Sequence, residues 1–394
     1  MAVKTGLERL LTEEVGRLKG RKIGLCCNPT TVDQSYRHIV ELFHEHPDIE
    51  LVALFGPEHG IRGEAQDMIG VTGQAVDPLT GVPIFSLYGD SEDSLRPKPE
   101  MLEGVDLLIF DIQDVGSRYY TYIYTMSFLM EAAGKADIEV MVLDRPNPIN
   151  GVHVEGPSIE DDYTSFVGCY PIANRHGMTA GELALMFRDK FGIHCKLQVI
   201  EMSGWKRSMW MDQTGVNWVM PSPNMPTLDT AIVYPGGCLF EGTNLSEGRG
   251  VTRPFELVGA PYLEPFELVT KLHAFNLPGV RFRPLRFMPT FHKWANESCG
   301  GVQIHVTDRD TFKPFLTGVA FMQVCYQMAP EAFAWRTEEY EFVSDRLAID
   351  LLCGGTGIRE AIEQSRDPYE IESTWLPAQE KFMKEREPFL LYPV

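Results

Sequence analysis

VDLLIF, residues 105–110, is a short apolar run that ends at Asp111. Comparable runs lie before and after it, at Lys22–Cys27, Leu51–Phe55, Val82–Leu87, Glu139–Leu143 and Lys196–Ile200. Helical patterns separate several of them, at Tyr36–His46, Tyr120–Ala133 and Thr179–Phe191. Apolar strands that alternate with helices are typical of a parallel sheet covered by helices on both faces. The first half of the chain is therefore predicted to be an α/β domain.

A proline-rich segment, MPSPNMPT at Met220–Thr227, interrupts this pattern. We interpret it as a crossover to a second domain, although a long loop would look the same. The chain beyond it combines a strand pattern with several helical patterns, at Gly301–Thr307, Glu264–Phe275, Phe312–Met328 and Glu338–Cys353. Such a mixture indicates a smaller α+β domain. The predicted division is into residues 1–228 and residues 229–394.

The overall charge restricts the partners that this protein can have. The chain has 394 residues and a formal net charge of −20. This charge repels nucleic acid and anionic membranes, so neither is an expected partner. No apolar run approaches the ~20 residues of a membrane span, and no signal-peptide pattern opens the sequence. The sequence as it stands predicts a cytoplasmic protein, or an exported one if a signal peptide has been removed.

Several chemistries lack their sequence motifs. The G-x-S-x-G turn of α/β-hydrolases, the G-x-G-x-x-G turn of dinucleotide-binding domains and the P-loop are all missing. The eight cysteines show no metal-binding spacing. His44 and His46 are two positions apart, so they face different sides of a helix. Nothing in the sequence argues for a metal or a cofactor.

Polar motifs follow three of the predicted strands, at Gly56–Gly60, Asp111–Asp114 and Asp144–Asn147. In open α/β sheets, ligands bind outside the carboxyl ends of the strands. The three motifs therefore favour one shared site, although each could also be ordinary turn chemistry between a strand and a helix.

Glu58 is the strongest catalytic candidate. It follows a buried strand and lies between Pro57, which fixes its own backbone φ, and Gly60. A carboxyl group at such a partly desolvated rim suits a general acid. The alternative is a loop carboxylate that binds a helix N-terminus.

A general acid usually acts together with a second group, which is another carboxylate of the protein or a group on the substrate. The sequence offers several loop carboxylates and does not rank them: Asp111, Asp114, Asp144, Glu155, Glu241 and Glu247. Arginines near the motifs suit bidentate capture of a carboxylate, although each could pair with an acidic residue of the chain. They are Arg62, Arg118, Arg175, Arg249 and Arg253.

The glycine-rich segment Tyr234–Phe255 is predicted to be a long loop that closes the cleft from the second domain. It would supply Glu241, Asn244 and Arg249 to a ligand, and its glycines would let the backbone approach that ligand closely. The alternative is a packed loop that only holds the domains together.

Taken together, the motifs resemble one family, the exo-β-N-acetylmuramidase (NamZ) family, glycoside hydrolase family 171. The stretches that carry the resemblance run in family order: GPEHGIRG (Gly56–Gly63), FDIQDVGSRYYTYI (Phe110–Ile123), LDRPNPING (Leu143–Gly151), VEGP (Val154–Pro157), RHGMTAGELA (Arg175–Ala184), PSPNMPT (Pro221–Thr227) and YPGGCLFEGTNLSEGRGVTRPFE (Tyr234–Glu256). The last ~130 residues resemble the family more loosely.

The resemblance implies a Rossmann-like first domain and a smaller second domain that closes the active-site cleft. It also implies release of β-1,4-linked N-acetylmuramic acid from the non-reducing ends of peptidoglycan fragments, without a cofactor, and it places the catalytic glutamate at Glu58. The substrate would be a muropeptide-derived or peptide-free glycan. A non-catalytic amino-sugar-binding module and a hydrolase of another acidic sugar remain alternatives.

The resemblance and the polar motifs together give the predicted site. The predicted catalytic residues are Glu58, His59 and Asp111. The predicted substrate-binding residues are Arg62, Gln113, Arg118, Tyr119, Asn147, Arg175, His176, Asn224, Glu241, Asn244 and Arg249. The sequence leaves open a retaining or inverting outcome and the oligomeric state.

Overall fold

The structure, a computed structural model, describes residues 2–63 and 75–394. Its larger sheet has the strand order β3-β4-β2-β1-β5-β6-β7. The strands are β1 (Lys22–Cys27), β2 (Glu50–Gly56), β3 (Ala75–Val76), β4 (Pro83–Ser86), β5 (Leu107–Asp111), β6 (Glu139–Leu143) and β7 (Lys196–Ile200). All pairs are parallel except β3 with β4. Without β3, this is the doubly wound strand order. Successive strands are added toward one edge of the sheet from β1 to β4, and toward the opposite edge from β5 to β7. The predicted Rossmann-like sheet is confirmed.

Strand side chains alternate between the two faces of this sheet, and each face is covered. Leu25 and Leu54 lie in one core with the N-terminal segment and α2, whereas Cys26 and Phe55 lie in the other core with α3 and α4. The helices of this half are α1 (Gly6–Arg9), α2 (Ile39–Glu45), α3 (Tyr122–Lys135), α4 (Ala180–Asp189) and α5 (Met211–Thr214). The predicted capping box at the start of α4 is present, with Thr179 and Glu182 exchanging hydrogen bonds.

The rest of the chain forms the predicted smaller α+β part. Its antiparallel sheet has the order β8-β10-β9, formed by β8 (Leu257–Ala260), β9 (Val280–Phe287) and β10 (Cys299–Val306). Its helices are α6 (Leu228–Gly237), α7 (Pro265–Ala274), α8 (Pro314–Met328), α9 (Ala348–Cys353), α10 (Gly357–Glu363) and α11 (Pro368–Arg386). We propose a domain boundary at the start of α6, one residue before the predicted division between residues 228 and 229. The part before α6 is called the first domain, and the part from α6 onward is called the second domain.

Two predictions about the second domain are wrong. The helix predicted over Glu338–Cys353 is present only at Ala348–Cys353. Residues before it form a turn, because Glu341 and Phe342 have left-handed backbone angles with φ of 47° and 67°, which a right-handed helix does not allow.

The segment Tyr234–Phe255 is also not one long loop. Its first residues complete α6, and Cys238–Gly242 forms a 3₁₀ helix. Its early glycines serve helix packing rather than ligand approach. A Cβ atom on Gly236 would lie 1.9 Å from the carbonyl oxygen of Pro314, and one on Gly242 would lie 2.7 Å from the Cα of Ile349. Close contact between backbones therefore requires glycine at these positions.

The two domains share one hydrophobic core and several polar contacts. Arg118 of the first domain donates to the carbonyl oxygen of Leu352 at the end of α9, with an N–O distance of 2.7 Å. Glu155 accepts hydrogen bonds from the backbone N–H groups of Phe315 and Leu316, at 3.1 and 2.9 Å. Glu155 therefore caps the N-terminus of α8 from the other domain. Buried hydrogen bonds therefore hold the two domains together.

Replacing Glu155 with Ala is expected to lower the free energy of unfolding by about 2 kcal/mol, because two buried N–H groups lose their acceptor. Burial raises the pKa of Glu155 to about 7, against the opposing effect of these hydrogen bonds. A folded-state pKa above the unfolded value makes this contribution to stability complete at low pH and progressively lost as pH rises from about 4.5 to about 7.

Urea unfolding of wild type, Glu155→Ala and Glu155→Gln across this pH range tests both points, with Glu103→Ala as an exposed control. The stability advantage of wild type over Glu155→Gln should narrow as pH rises. An advantage that grows with pH would contradict the raised pKa, and an unchanged stability of Glu155→Ala would contradict the capping role.

Candidate active site

A cleft lies between the two domains, at the carboxyl end of β2, and its empty volume is about 470 Å³ including its open mouth. The residues that line this interdomain cleft are Glu58, His59, Tyr119, Tyr120, Thr121, Tyr122, Val167, Ser222, Asn224, Met225, Tyr234, Glu241, Arg249, Phe255, Tyr340 and Glu341.

Glu58 enters the cleft from the turn that follows β2. Its side chain is buried, and the hydroxyl group of Thr121 donates to its Oε2 at 2.9 Å. Thr121 immediately precedes α3, so the strand end and the helix start together fix the carboxyl group. The next residue, His59, has a left-handed backbone with φ of 69°, and it also lines the cleft. The non-glycine residue in this conformation marks a tightly turned backbone beside the carboxyl group.

Four tyrosines form an aromatic wall of the cleft. The rings of Tyr120 and Tyr122 meet edge to face at 4.9 Å, and Tyr234 meets Tyr120 in the same manner at 5.6 Å. The hydroxyl groups of Tyr119 and Tyr122 donate to the carbonyl oxygens of Pro235 and Pro221. Burial raises the pKa of Tyr122 above its usual value, and the nearby Glu58 raises it further. The wall is therefore uncharged and held in place by hydrogen bonds.

The second domain contributes an ion-pair network. Arg249 contacts Glu241 at 2.7 Å and Glu247 at 3.2 Å, and the hydroxyl group of Tyr340 donates to Glu241 at 2.7 Å. All of these carboxylates are buried. Arg249 also lies over the ring of Phe255, with its guanidinium carbon 5.2 Å from the ring centroid. Arg249 is the arginine that lines the described part of the cleft.

Glu247 lies behind Arg249 and holds the network together. Its carboxylate contacts Lys293 at 2.9 Å and His292 at 3.2 Å in addition to Arg249. Burial by itself would raise the pKa of Glu247, but Lys293, His292 and Arg249 together lower that pKa well below its usual value. Glu247 is therefore an ionised anchor for the arginine.

The structure brings several of the predicted site residues together in the cleft: Glu58, His59, Tyr119, Asn224, Glu241 and Arg249. They come from both domains, and Asn224 lies on the proline-rich crossover. The remaining predicted residues do not line the cleft: Asp111, Arg62, Gln113, Arg118, Asn147, Arg175, His176 and Asn244.

Asp111 was predicted to be catalytic, and the structure places it in a buried ion pair. It is the last residue of β5 and is fully buried, and both of its carboxylate oxygens accept hydrogen bonds from Arg145, with one contact at 2.8 Å. The bidentate pair joins the ends of the neighbouring strands β5 and β6. This contact accounts for Asp111 as an anchor of the sheet edge.

The arginines predicted to bind substrate also have structural partners. Arg118 is fully buried and donates to carbonyl oxygens of Pro157 and Ile172 as well as Leu352. Burial lowers the pKa of Arg118 and lowers that of Arg175 to about 10. Arg175 donates to the carbonyl oxygen of Ile149 and lies over Trp210. Arg62 is half exposed and pairs with Asp77 at 2.8 Å, at the border of the described residues.

The predicted polar residues outside the cleft form local hydrogen bonds. Gln113 donates to the carbonyl oxygen of Pro146 at 2.8 Å, and Asn147 donates to that of Met178 at 2.9 Å. His176 Nδ1 accepts from the N–H group of Met178 at 3.1 Å. The side chain of Asn244 donates to the carbonyl oxygen of Ala332 and accepts a hydrogen bond from the hydroxyl group of Tyr262. These residues shape the loops next to the cleft.

Sequence reasoning missed Thr121, Ser222, Tyr340 and Glu341, all of which line the cleft. Thr121 lies inside the quoted motif at Phe110–Ile123, and Ser222 lies in the proline-rich crossover, so their motifs pointed to them. Glu341 lies in the segment predicted to be helical, where no signal marked it.

Within residues 2–63 and 75–394, no group of three or more His, Cys, Asp or Glu side chains is arranged to hold a metal ion. Over the same residues, no helix has the length and apolar character needed to cross a membrane.

Comparison with known proteins places the whole chain in one family. A family model described as "Exo-beta-N-acetylmuramidase NamZ, N-terminal" matches residues 23–229, and its C-terminal counterpart matches residues 232–392. The chain is 48% identical to a protein named peptidoglycan beta-N-acetylmuramidase NamZ from Bacillus subtilis (strain 168), over 99% of this chain and 91% of that protein.

Two crystal structures of DUF1343 family proteins from Bacteroides fragilis NCTC 9343 have the same fold. One is 36% identical with a TM-score of 0.89, covering 99% of each chain. The other is 30% identical with a TM-score of 0.78, covering 100% of this chain and 99% of that one. The sequence and structural matches agree, and the chain belongs to the NamZ exo-β-N-acetylmuramidase family.

Proposed function

We propose that this chain is an exo-acting glycoside hydrolase that removes N-acetylmuramic acid from the non-reducing ends of peptidoglycan-derived glycans. The observation that carries the proposal is the position of Glu58, a buried carboxyl group at a strand end inside a cleft formed by both domains. The name of the Bacillus subtilis relative supports the same activity.

In this mechanism Glu58 is the general acid. It gives its proton to the glycosidic oxygen while the bond from that oxygen to the sugar breaks. Thr121 holds the carboxyl group, and the tyrosine wall limits the water that reaches the bond. His59 adjoins Glu58 in the turn, and Asn224 lies on the crossover where it can bind a sugar hydroxyl group.

Arg249 is proposed to bind the lactyl carboxylate that distinguishes N-acetylmuramic acid from N-acetylglucosamine. Its guanidinium group is held by Glu241 and Glu247 and lies over Phe255, so its orientation is fixed before substrate binds. A planar guanidinium group suits bidentate recognition of a carboxylate. The aromatic wall across the cleft supplies surfaces for the sugar ring.

Wild-type enzyme should therefore hydrolyse a chromogenic N-acetylmuramic acid glycoside with a kcat/KM at least ~100-fold above that of the N-acetylglucosamine glycoside with the same leaving group. The N-acetylglucosamine glycoside lacks the lactyl carboxylate, so it loses the charge-assisted hydrogen bonds that this carboxylate would accept from Arg249. Steady-state kinetics on the two glycosides measure the ratio.

The alternatives give different results in the same assay. Binding of N-acetylmuramic acid without release of the chromophore would indicate a sugar-binding module, and turnover confined to another acidic sugar would indicate a different hydrolase. Equal kcat/KM for the two glycosides would reject recognition of the lactyl carboxylate.

A further inference from the structure

A second pocket opens on the surface of the second domain. Three segments line it, residues 243–244, 292–294 and 334–338, and we call it the tryptophan pocket. Its empty volume is about 970 Å³ including its open mouth, which is larger than that of the interdomain cleft. Among the residues that the structure describes, those that line the tryptophan pocket differ from those that line the cleft. The pocket is therefore a candidate for a second binding site.

Two tryptophans give this pocket aromatic surfaces of fixed orientation. Trp294 and Trp335 both line it, and both are half-buried. The indole N–H group of Trp294 donates to the carbonyl oxygen of Asn244 at 2.6 Å, and that of Trp335 donates to Glu363 at 2.9 Å. Each ring is therefore oriented before a ligand binds. Rigid aromatic side chains of this kind supply contact area at a low cost in conformational entropy.

Asn244 adds an amide group beside these rings. Its side chain donates to the carbonyl oxygen of Ala332 at 2.8 Å and accepts from the hydroxyl group of Tyr262 at 2.7 Å. A side-chain amide has two hydrogens and two acceptor lone pairs, so one of each is left for a ligand. Asn244 was predicted to bind substrate, and it lines this pocket instead of the interdomain cleft.

The cationic groups of the tryptophan pocket already have partners. Lys293 donates to two backbone carbonyl oxygens and to Glu247, at distances of 2.9 to 3.2 Å. These contacts use all three hydrogens of its ammonium group. His292 contacts Glu247 at 3.2 Å, and Arg336 donates to the carbonyl oxygen of Glu339 at 3.0 Å. The pocket therefore suits an uncharged polar ligand better than an anion.

The loop that carries Trp294 has a strained backbone. His292, Trp294 and Asn296 have left-handed φ angles of 68°, 58° and 65°. Such residues persist only where the surrounding structure fixes them, and they cluster at active sites and ligand-binding loops. Earlier in the loop, the backbone N–H group and the hydroxyl group of Thr290 donate to the carbonyl oxygen of Gly250, at 3.0 and 2.9 Å. The loop is thus held against the glycine-rich segment.

We propose that the tryptophan pocket is a second saccharide site, which binds N-acetylglucosamine units of the glycan outside the catalytic cleft. The choice of this sugar rests on the proposed function, because N-acetylglucosamine is the uncharged sugar of peptidoglycan glycans. Trp294 and Trp335 contact the apolar faces of the sugar rings, and Asn244 binds an acetamido group. The cleft at Arg249 and the tryptophan pocket then select different sugars of the same glycan.

A trisaccharide of β-1,4-linked N-acetylglucosamine is the probe, because it has no lactyl group. Isothermal titration calorimetry should detect its binding to wild type, and Trp335→Ala and Asn244→Ala should each raise its Kd by at least ~10-fold. Trp335→Phe keeps an aromatic ring and should bind more tightly than Trp335→Ala, which separates lost contact from lost folding. Phe266→Ala is the matched control, because Phe266 is an exposed aromatic residue of the same domain that does not line the pocket.

A second titration distinguishes the tryptophan pocket from the interdomain cleft. With N-acetylmuramic acid present at a saturating concentration, the Kd of the trisaccharide should stay unchanged. Displacement of the trisaccharide by N-acetylmuramic acid, wild-type affinity in Trp335→Ala, or absence of binding to wild type would each overturn the proposal. Turnover of the N-acetylmuramic acid glycoside is measured separately. Its absence in wild type would reject the proposed function, whereas an active enzyme that does not bind the trisaccharide rejects only the second site.

Discussion

Glu58→Gln should lower kcat on an N-acetylmuramic acid glycoside by ~10²–10⁴-fold and leave the fold intact. Glutamine keeps the size of the side chain and can still hydrogen-bond the hydroxyl group of Thr121, but it has no proton to give to a leaving group. Because the substitution is nearly isosteric, substrate binding should change much less than kcat.

The leaving group provides a sharper test of the same role. A leaving group that departs as a stable anion needs no proton, so the deficit of Glu58→Gln should shrink as the leaving group becomes more acidic. Glu50→Gln is the matched control. Glu50 is an exposed carboxylate at the start of β2, the strand after which Glu58 lies. A Glu58→Gln enzyme that retains more than about a tenth of wild-type kcat would remove Glu58 from the role of general acid.

The central sheet could be predicted closely because burial on both faces leaves an unbroken apolar signal. The predicted bounds of β1, β6 and β7 match the structure residue for residue. The helix predicted at Thr179–Phe191 was also recognisable, because Thr179 and Glu182 form a local capping box. These features depend on short stretches of sequence, and short stretches were sufficient to predict them.

The site was harder to predict, because its composition depends on which polar groups the fold turns inward. Arg118 and Arg249 both lie in quoted motifs, yet Arg118 fastens the domains while Arg249 lines the cleft. The residue type and the spacing are the same for either role. Only the three-dimensional partners distinguish them, and Leu352, which accepts a hydrogen bond from Arg118, lies 234 positions away in sequence.

Glu341 lines the cleft, but the local sequence pattern did not mark it as a site residue. The apolar spacing over Glu338–Cys353 favours a helix, and a helix would have placed Glu341 on its exposed face. The observed turn depends on contacts with Tyr88 of the first domain, which lies 253 positions away. Local propensity does not include such contacts, so the prediction of a helix was wrong at this point.

Arg249→Ala should impair both stability and recognition of the substrate. The substitution leaves Glu241 and Glu247 buried without their shared guanidinium group, although Tyr340 and Lys293 still contact them. Breaking buried ion pairs in this way is expected to lower the free energy of unfolding by about 3 kcal/mol. A lower melting temperature alone therefore does not exclude a role in binding.

The decisive measurement is the ratio of kcat/KM for N-acetylmuramic acid and N-acetylglucosamine glycosides, taken well below the melting temperature. If Arg249 binds the lactyl carboxylate, the preference for N-acetylmuramic acid should fall by at least ~10-fold in Arg249→Ala and also in Arg249→Lys, which keeps the charge and loses the planar fork. Arg253→Ala is the matched control, because Arg253 is half exposed and its ion pairs should contribute less than ~1 kcal/mol. A variant that melts earlier but keeps the wild-type ratio would show that Arg249 only holds the network together, since a loss of folded enzyme lowers both rates equally and leaves their ratio unchanged.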